Sequence, residues 1–141
     1  MAPGAAVILV NDAIAVWESK ADFACSMHAW KMERWLDQRR RRKLSCIEVI
    51  SGECDWDGSS GLFAVKAAIE HGFDRIVLAG IPMTAEGQHF LRPWSWDEWA
   101  RFWAAWGEHR EEISPYVRSM SGRTRDMLGA PTEEWLNDGR L

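Results

Sequence analysis

The sequence has little of what marks several large protein classes. Its three cysteines, Cys25, Cys46 and Cys54, are irregularly spaced and form no CxxC pair. An odd set of this kind argues against a disulfide scaffold and a thiolate zinc site, and fits a reduced chain. No apolar run approaches the ~18 residues of a membrane span. The opening "MAPGAAVILV" has no basic segment ahead of its apolar stretch, so no secretory signal is expected. These absences predict a cytoplasmic protein. Basic charge is not in excess: 17 Lys and Arg stand against 21 Asp and Glu, a net of −4. That makes a dedicated nucleic-acid binder an unexpected reading.

What is present suits one globular domain spanning residues 1–141, because 47% of the residues are hydrophobic. Tryptophan is abundant, with five of the ten residues falling between Trp94 and Trp106. Strand candidates are Ala5 to Val10, an unbroken apolar run, then Asp22 to His28, Cys46 to Ile50, Arg75 to Gly80, and Tyr116 to Met120. Helical spacing of Met32, Trp35 and Leu36 predicts a helix over Ala29 to Lys43. Leu62, Val65 and Ile69 predict another from Ser60 to His71, ended by Gly72 in the left-handed conformation. Ser95, with Glu98 three residues on, reads as a capping box opening a long helix lined by Trp96, Trp99, Trp103 and Trp106. "SGRTRDML" and "TEEWL" read as short terminal helices. Alternating strands and helices imply an α/β fold, a Rossmann-like three-layer sandwich with a short, mainly parallel sheet of about five strands and a Trp-rich C-terminal helix.

In open parallel sheets ligands bind at the carboxyl ends of the strands. The residues there are rich in Asn, His, Ser, Thr and Gly, whereas the opposite ends carry Lys20, Asp22, Lys43, Asp74 and Arg75, an ordinary solvated edge. The candidate ligand-binding set is Asn11, His28, Gly58, Ser59, Ser60, Gly61, Pro82, Ser119, Ser121 and Arg123. The turn Gly58–Gly61 joins a helix start, with its unpaired backbone N–H groups and partial positive charge, to two hydroxyls and flanking glycines. That is a seat for phosphate or carboxylate; a simple serine N-cap is the competing explanation. "SMSGRT", from Ser119 to Thr124, repeats the logic. Ser121 is placed to cap a helix, and Arg123 or Arg125 to pair with an anion.

His28, at a strand end, is the candidate acid–base group, with a local hydrogen bond as the competing explanation. His89 lies in a long loop and reads as a surface residue. Asp55 and Asp57 near Cys54 match no established ligand spacing, so no metal is expected, and no cofactor. The run Arg39 to Lys43 reads as a solvated helix end. The Trp stripe reads as core or as a homo-oligomer interface.

The segment "SSGLFAVKAAIEHGFDRIVLAGIPM" resembles bacterial sialyltransferases and flagellin-modification glycosyltransferases, in which a Ser-Gly turn opens a helix and contacts the nucleotide phosphate. The resemblance implies that role for Ser59, Ser60 and Gly61. "ILVNDA" is similar to a strand segment of the same families whose Asn contacts the nucleotide, which implies a contact for Asn11. The chain has no Gly-Pro-Ser turn ahead of Ala5, no acidic residue directly after Gly80, and one tyrosine, Tyr116. As a whole, with "HAWKMERW" and "RSMSGRTRDMLGAPTEEWL", it also resembles small uncharacterised bacteriophage proteins, which implies a host-cytoplasm setting. The expected function is binding of a nucleotide or similar phosphorylated, anionic small molecule without catalysis. The alternatives are a reduced glycosyltransferase-like enzyme using a nucleotide-sugar donor, and a phage structural or protein-interaction module using the Trp-rich helix.

Overall fold

The computed structural model describes residues 5–45, 47–52, 55–56, 59–84 and 98–138. Gly58, His89, Asp57, Cys46, Cys54, Trp94, Ser95 and Trp96, all named above, lie outside these residues. The described residues form a mixed α/β structure with two small parallel sheets, of three and two strands, and seven helices. They group into two compact units, one comprising described residues of 1–55 and 59–64, the other of 56–58 and 65–141.

In the first unit, strand β1 is Ile8–Val10, helix α1 Ala13–Val16, strand β2 Phe23–Ser26, helix α2 Ala29–Arg41 and strand β3 Glu48–Ser51. The order β1-β2-β3 is parallel throughout, with Leu9 opposite Ala24 and Ala24 opposite Val49. β1 is shorter than the apolar run predicts because Val7 leaves the ladder. Its N–H donates to the Asp22 carboxylate at 2.9 Å, and its carbonyl accepts from the Asp22 and Phe23 amides. Of β1 only Leu9 is fully buried. β3 is displaced from the expected Cys46–Ile50 and is largely exposed, with Val49 at 42%.

The core of this unit is Leu9, Ile14, Ala15, Ala21, Ala24, Met32 and Trp35. Met32, Trp35 and Arg39 of α2 are buried and Leu36 half-buried, the i, i+3, i+4, i+7 stripe of an amphipathic helix. Arg39 corrects the reading of Arg39 to Lys43 as a solvated end. It is 2% exposed and donates to the carbonyls of Ile14, Trp17 and Ser45. Arg42 donates to the carbonyls of Ala15 and Val16 and pairs with Glu18. The cause lies in α1. A one-turn helix leaves its last carbonyls without intrahelical partners, and two guanidinium groups, from Arg39 of α2 and Arg42 at its C-cap, take those of Ile14, Ala15, Val16 and the α1 cap Trp17. Only Arg40, Arg41 and Lys43 of the run keep the solvated role.

Helix α3, Ser60–Glu70, has residues in both units. Gly72 ends it as expected: at φ +86 it allows Gly72 N–H to reach Ile69 O and Phe73 N–H to reach Ala68 O, a Schellman closure.

The second unit contains strand β4, Ile76–Leu78, helices α4, Trp99–Glu108, and α5, Arg110–Ile113, strand β5, Val117–Ser119, and helices α6, Gly122–Leu128, and α7, Glu133–Asn137. β4 pairs parallel to β5, with Leu78 opposite Ser119. Glu98 stands at the N-cap position of α4 without a side-chain cap bond. Of the expected Trp stripe, Trp106 is fully buried, while Trp99 and Trp103 are half-buried. Arg75 is not a plain solvated end. It donates to Trp135 O at 2.8 Å, and its guanidinium and that of Arg118 both lie over the Trp135 ring, at 5.0 and 4.8 Å. This cation–π contact anchors α7, whose Thr132 caps it by accepting from Trp135 N–H at 3.1 Å.

Candidate functional site

The carboxyl ends of β1 and β2 carry a directional hydrogen-bond relay. The His28 N–H donates to Ser26 Oγ at 3.0 Å, and the Ser26 hydroxyl donates to Asn11 Oδ1 at 2.7 Å. The Asn11 amide is placed with its oxygen toward Ser26, and the single Ser26 proton serves that contact while an oxygen lone pair accepts from His28 N–H. The Asn11 NH2 group then presents two donors, and no described residue accepts from them. Asn11 itself is left-handed, φ 54, a conformation that Asn tolerates better than most residues. Ser26 is fully buried, so the relay is rigidly seated.

Two helix starts meet at this edge. His28 occupies the N-cap position of α2, a helix of 13 residues. Ser59 precedes α3, of 11 residues, and its Oγ accepts from Leu62 N–H at 3.4 Å, so Ser59 is the cap of α3. Ser60 has a different task. Its Oγ accepts from Met27 N–H at 3.2 Å, tying the α3 start to the β2–α2 turn. It is 5% exposed, and the bond uses an oxygen lone pair, leaving the hydroxyl proton. Gly61 is buried in the first turn of α3. Each helix start carries roughly half a positive charge, and here two are bridged by one hydrogen bond. The His28 ring meets Trp30 edge-on, with centroids 4.9 Å apart. Asp12 faces another way, accepting from Trp35 Nε1–H at 2.9 Å.

The second Ser-Gly turn is built differently. Ser119 and Thr124 are fully buried and share a 2.8 Å hydroxyl contact. Thr124 Oγ1 is also 2.7 Å from Ile81 O, and Ser119 Oγ 3.2 Å from Ser121 O. Ser121 stands at the N-cap position of α6 but makes no side-chain cap bond, which corrects its expected capping role. Its extended backbone, φ −155 and ψ 159, instead offers its carbonyl to the Ser119 and Thr124 hydroxyls. Pro82 O accepts from Arg123 N–H at 2.8 Å. The Arg123 guanidinium lies 4.7 Å from the Trp99 ring centroid. It borders an open groove of about 470 Å³ lined also by Trp103, Gly107, Arg110, Asp126 and Met127.

The structure therefore brings Asn11, His28, Ser59, Ser60 and Gly61 together within the first unit, and Pro82, Ser119, Ser121 and Arg123 within the second. In the second set the hydroxyls of Ser119 and Thr124 are engaged with each other and with backbone. Thr124→Val is expected to lower stability by about 1–3 kcal/mol, because it removes the hydroxyl that bonds the Ile81 carbonyl and the buried Ser119 hydroxyl. Urea denaturation checks this: the midpoint should fall with an unchanged slope. Ser26 was not among the residues singled out by sequence. The signal was there, as a hydroxyl at a strand end two residues before a helix cap. Among the described residues, no group of three or more His, Cys, Asp and Glu is placed to hold a metal ion. No helix among them is long and apolar enough to cross a membrane.

No protein-family model, no curated protein and no solved structure matches this chain.

Proposed function

We propose that this protein binds a nucleotide or similar phosphorylated small molecule at the carboxyl edge of β1 and β2, on a Rossmann-like α/β framework, without catalysing a reaction. The observation that carries the reading is the oriented Asn11 amide beside two bridged helix starts. Donors held in fixed directions suit an acceptor-rich, negatively charged group, and helix starts add favourable potential. Ser59 and Ser60 supply the turn that holds the second helix start in place. The likeness of "SSGLFAVKAAIEHGFDRIVLAGIPM" to nucleotide-sugar glycosyltransferases favours the same ligand class, and no convincing set of catalytic groups accompanies it.

The test is calorimetry with nucleoside phosphates, cyclic nucleotides and nucleotide sugars against wild type and Asn11→Asp. Aspartate keeps an oxygen for the Ser26 hydroxyl and tolerates the left-handed backbone, so thermal stability should change by no more than a few degrees. It replaces the outward donors with a negative acceptor. Affinity for an anionic ligand is expected to drop by about a hundredfold, from a lost charge-assisted hydrogen bond and like-charge repulsion. A ligand that binds both proteins equally places the site elsewhere. A screen in which wild type binds nothing ends the ligand reading.

A further inference from the structure

Charge is distributed very unevenly along this chain. Residues 29–43, helix α2 and the two that follow, hold seven basic and two acidic residues, a net of +5. All other positions hold ten basic and nineteen acidic residues, a net of −9. The overall acidity conceals one strongly basic element.

The structure sorts these cations. Arg39 is buried and Arg42 is held by α1 carbonyls. Lys31, Arg34, Arg40, Arg41 and Lys43 are exposed. Arg40 and Arg41 share Asp37, at 3.6 and 2.7 Å, so one carboxylate offsets two guanidinium groups. Lys31 and Arg34 make no ion pair with any described residue. On the same helix Trp30 is 73% exposed, the most exposed large hydrophobic among the described residues. At 100° per residue Trp30, Arg34 and Arg41 fall on one outward stripe. Arg34 lies about 6 Å and Arg41 about 16 Å along the axis from Trp30.

We propose that the outward face of α2 binds single-stranded nucleic acid, with a base stacked on the Trp30 indole and phosphates on Arg34 and Arg41. An exposed flat ring flanked by Arg34, which makes no ion pair with any described residue, and by Arg41, which shares one carboxylate with Arg40, is the combination that single strands use, since every base has a π-face and every linkage a charge. A duplex hides its base faces from a lone protruding ring. An anionic lipid surface fits less well, because the residues sharing the stripe with Trp30 are charged and supply no further apolar area for insertion. This surface adjoins the Asn11 edge, where the Trp30 ring meets His28, and does not depend on the ligand reading there.

The experiment is fluorescence anisotropy of a short fluorescein-labelled oligothymidylate with the full chain at several salt concentrations. Binding is expected with a log–log salt slope of about −1.4, from two phosphate contacts at about −0.7 each. Tryptophan emission should be quenched on stacking. Trp30→Ala is expected to weaken binding about tenfold or more, and Arg34→Glu with Arg41→Glu to abolish it. Lys20→Glu, a single charge reversal at an exposed side chain off α2, should change affinity less than twofold. All four positions are exposed, so circular dichroism should match wild type. The proposal is overturned if the oligonucleotide does not bind. It is equally overturned if a duplex binds as tightly with no effect of Trp30→Ala, or if phosphatidylserine vesicles bind through Arg34 and Arg41 while the oligonucleotide does not.

Discussion

Arg39→Ala is expected to destabilise the protein by about 2–4 kcal/mol, because several acceptors lose a charged donor, at about 1–3 kcal/mol for a buried group left unsatisfied. That is a large share of the ~5–15 kcal/mol by which a domain of this size is stable. The guanidinium donates through Nε to Ser45 O at 2.8 Å and through one terminal nitrogen to Trp17 O at 2.9 Å and Ile14 O at 3.3 Å. Its other terminal nitrogen reaches Ser45 Oγ at 3.0 Å. Alanine leaves the Ile14 carbonyl, whose bond is buried, and the part-buried Trp17 and Ser45 acceptors without their donor, and removes the side chain that fills this place on the buried face of α2. The negative end of the α1 turn adds a favourable field for the cation, which alanine also forfeits. Lysine cannot rescue the site, because one ammonium cannot span acceptors that a planar fork reaches at once. Arg42 is the internal control. Its side chain is 41% exposed, water can replace it, and Arg42→Ala should cost about 1 kcal/mol or less. Thermal and urea unfolding of the three variants decide the matter. Equal small losses for Arg39→Ala and Arg42→Ala would mean that the buried fork holds nothing.

The second large effect is expected at Gly122. Its φ is +66, and a Cβ there would press on Pro82, 2.5 Å from the carbonyl oxygen and 2.7 Å from Cα. Pro82 cannot easily retreat, because its carbonyl also accepts the Arg123 amide at 2.8 Å and its neighbour Met83 is buried. Left-handed strain of about 1 kcal/mol adds to crowding of about 1–3 kcal/mol. Gly122→Ala should therefore lose about 2–4 kcal/mol. Gly72 separates the two causes. Its φ of +86 is similarly strained for alanine, but a Cβ there meets nothing within 4 Å. Gly72→Ala should cost only about 1 kcal/mol. Denaturation midpoints showing the same loss at both positions would remove the crowding term. The contrast also accounts for the glycine in the second Ser-Gly turn: Pro82 occupies the space a side chain would need.

The parallel α/β character was legible in the sequence, because apolar runs alternate with helical stripes and short polar turns. The ends of α3 were legible too, since a serine cap and a left-handed glycine are local devices whose geometry depends on few neighbours. Even Arg39 was legible in principle. It continues the Met32, Trp35, Leu36 stripe at i+7, but the run of four arginines drew attention to composition over period. Helix α1 was missed because one turn carries too short a pattern to read. The Ser26–Asn11 relay was not legible, since it joins residues fifteen positions apart through strand register. The sequence by itself determined the alternation of short strands and helices and the approximate place of most of them, because backbone propensity and periodicity act over a few residues. Only the tertiary structure decided which hydroxyls are spent on backbone, which way the Asn11 amide faces, and which cations of α2 point to solvent. Those outcomes depend on partners distant in sequence, and a donor's direction is set by whichever acceptor the fold brings within about 3 Å.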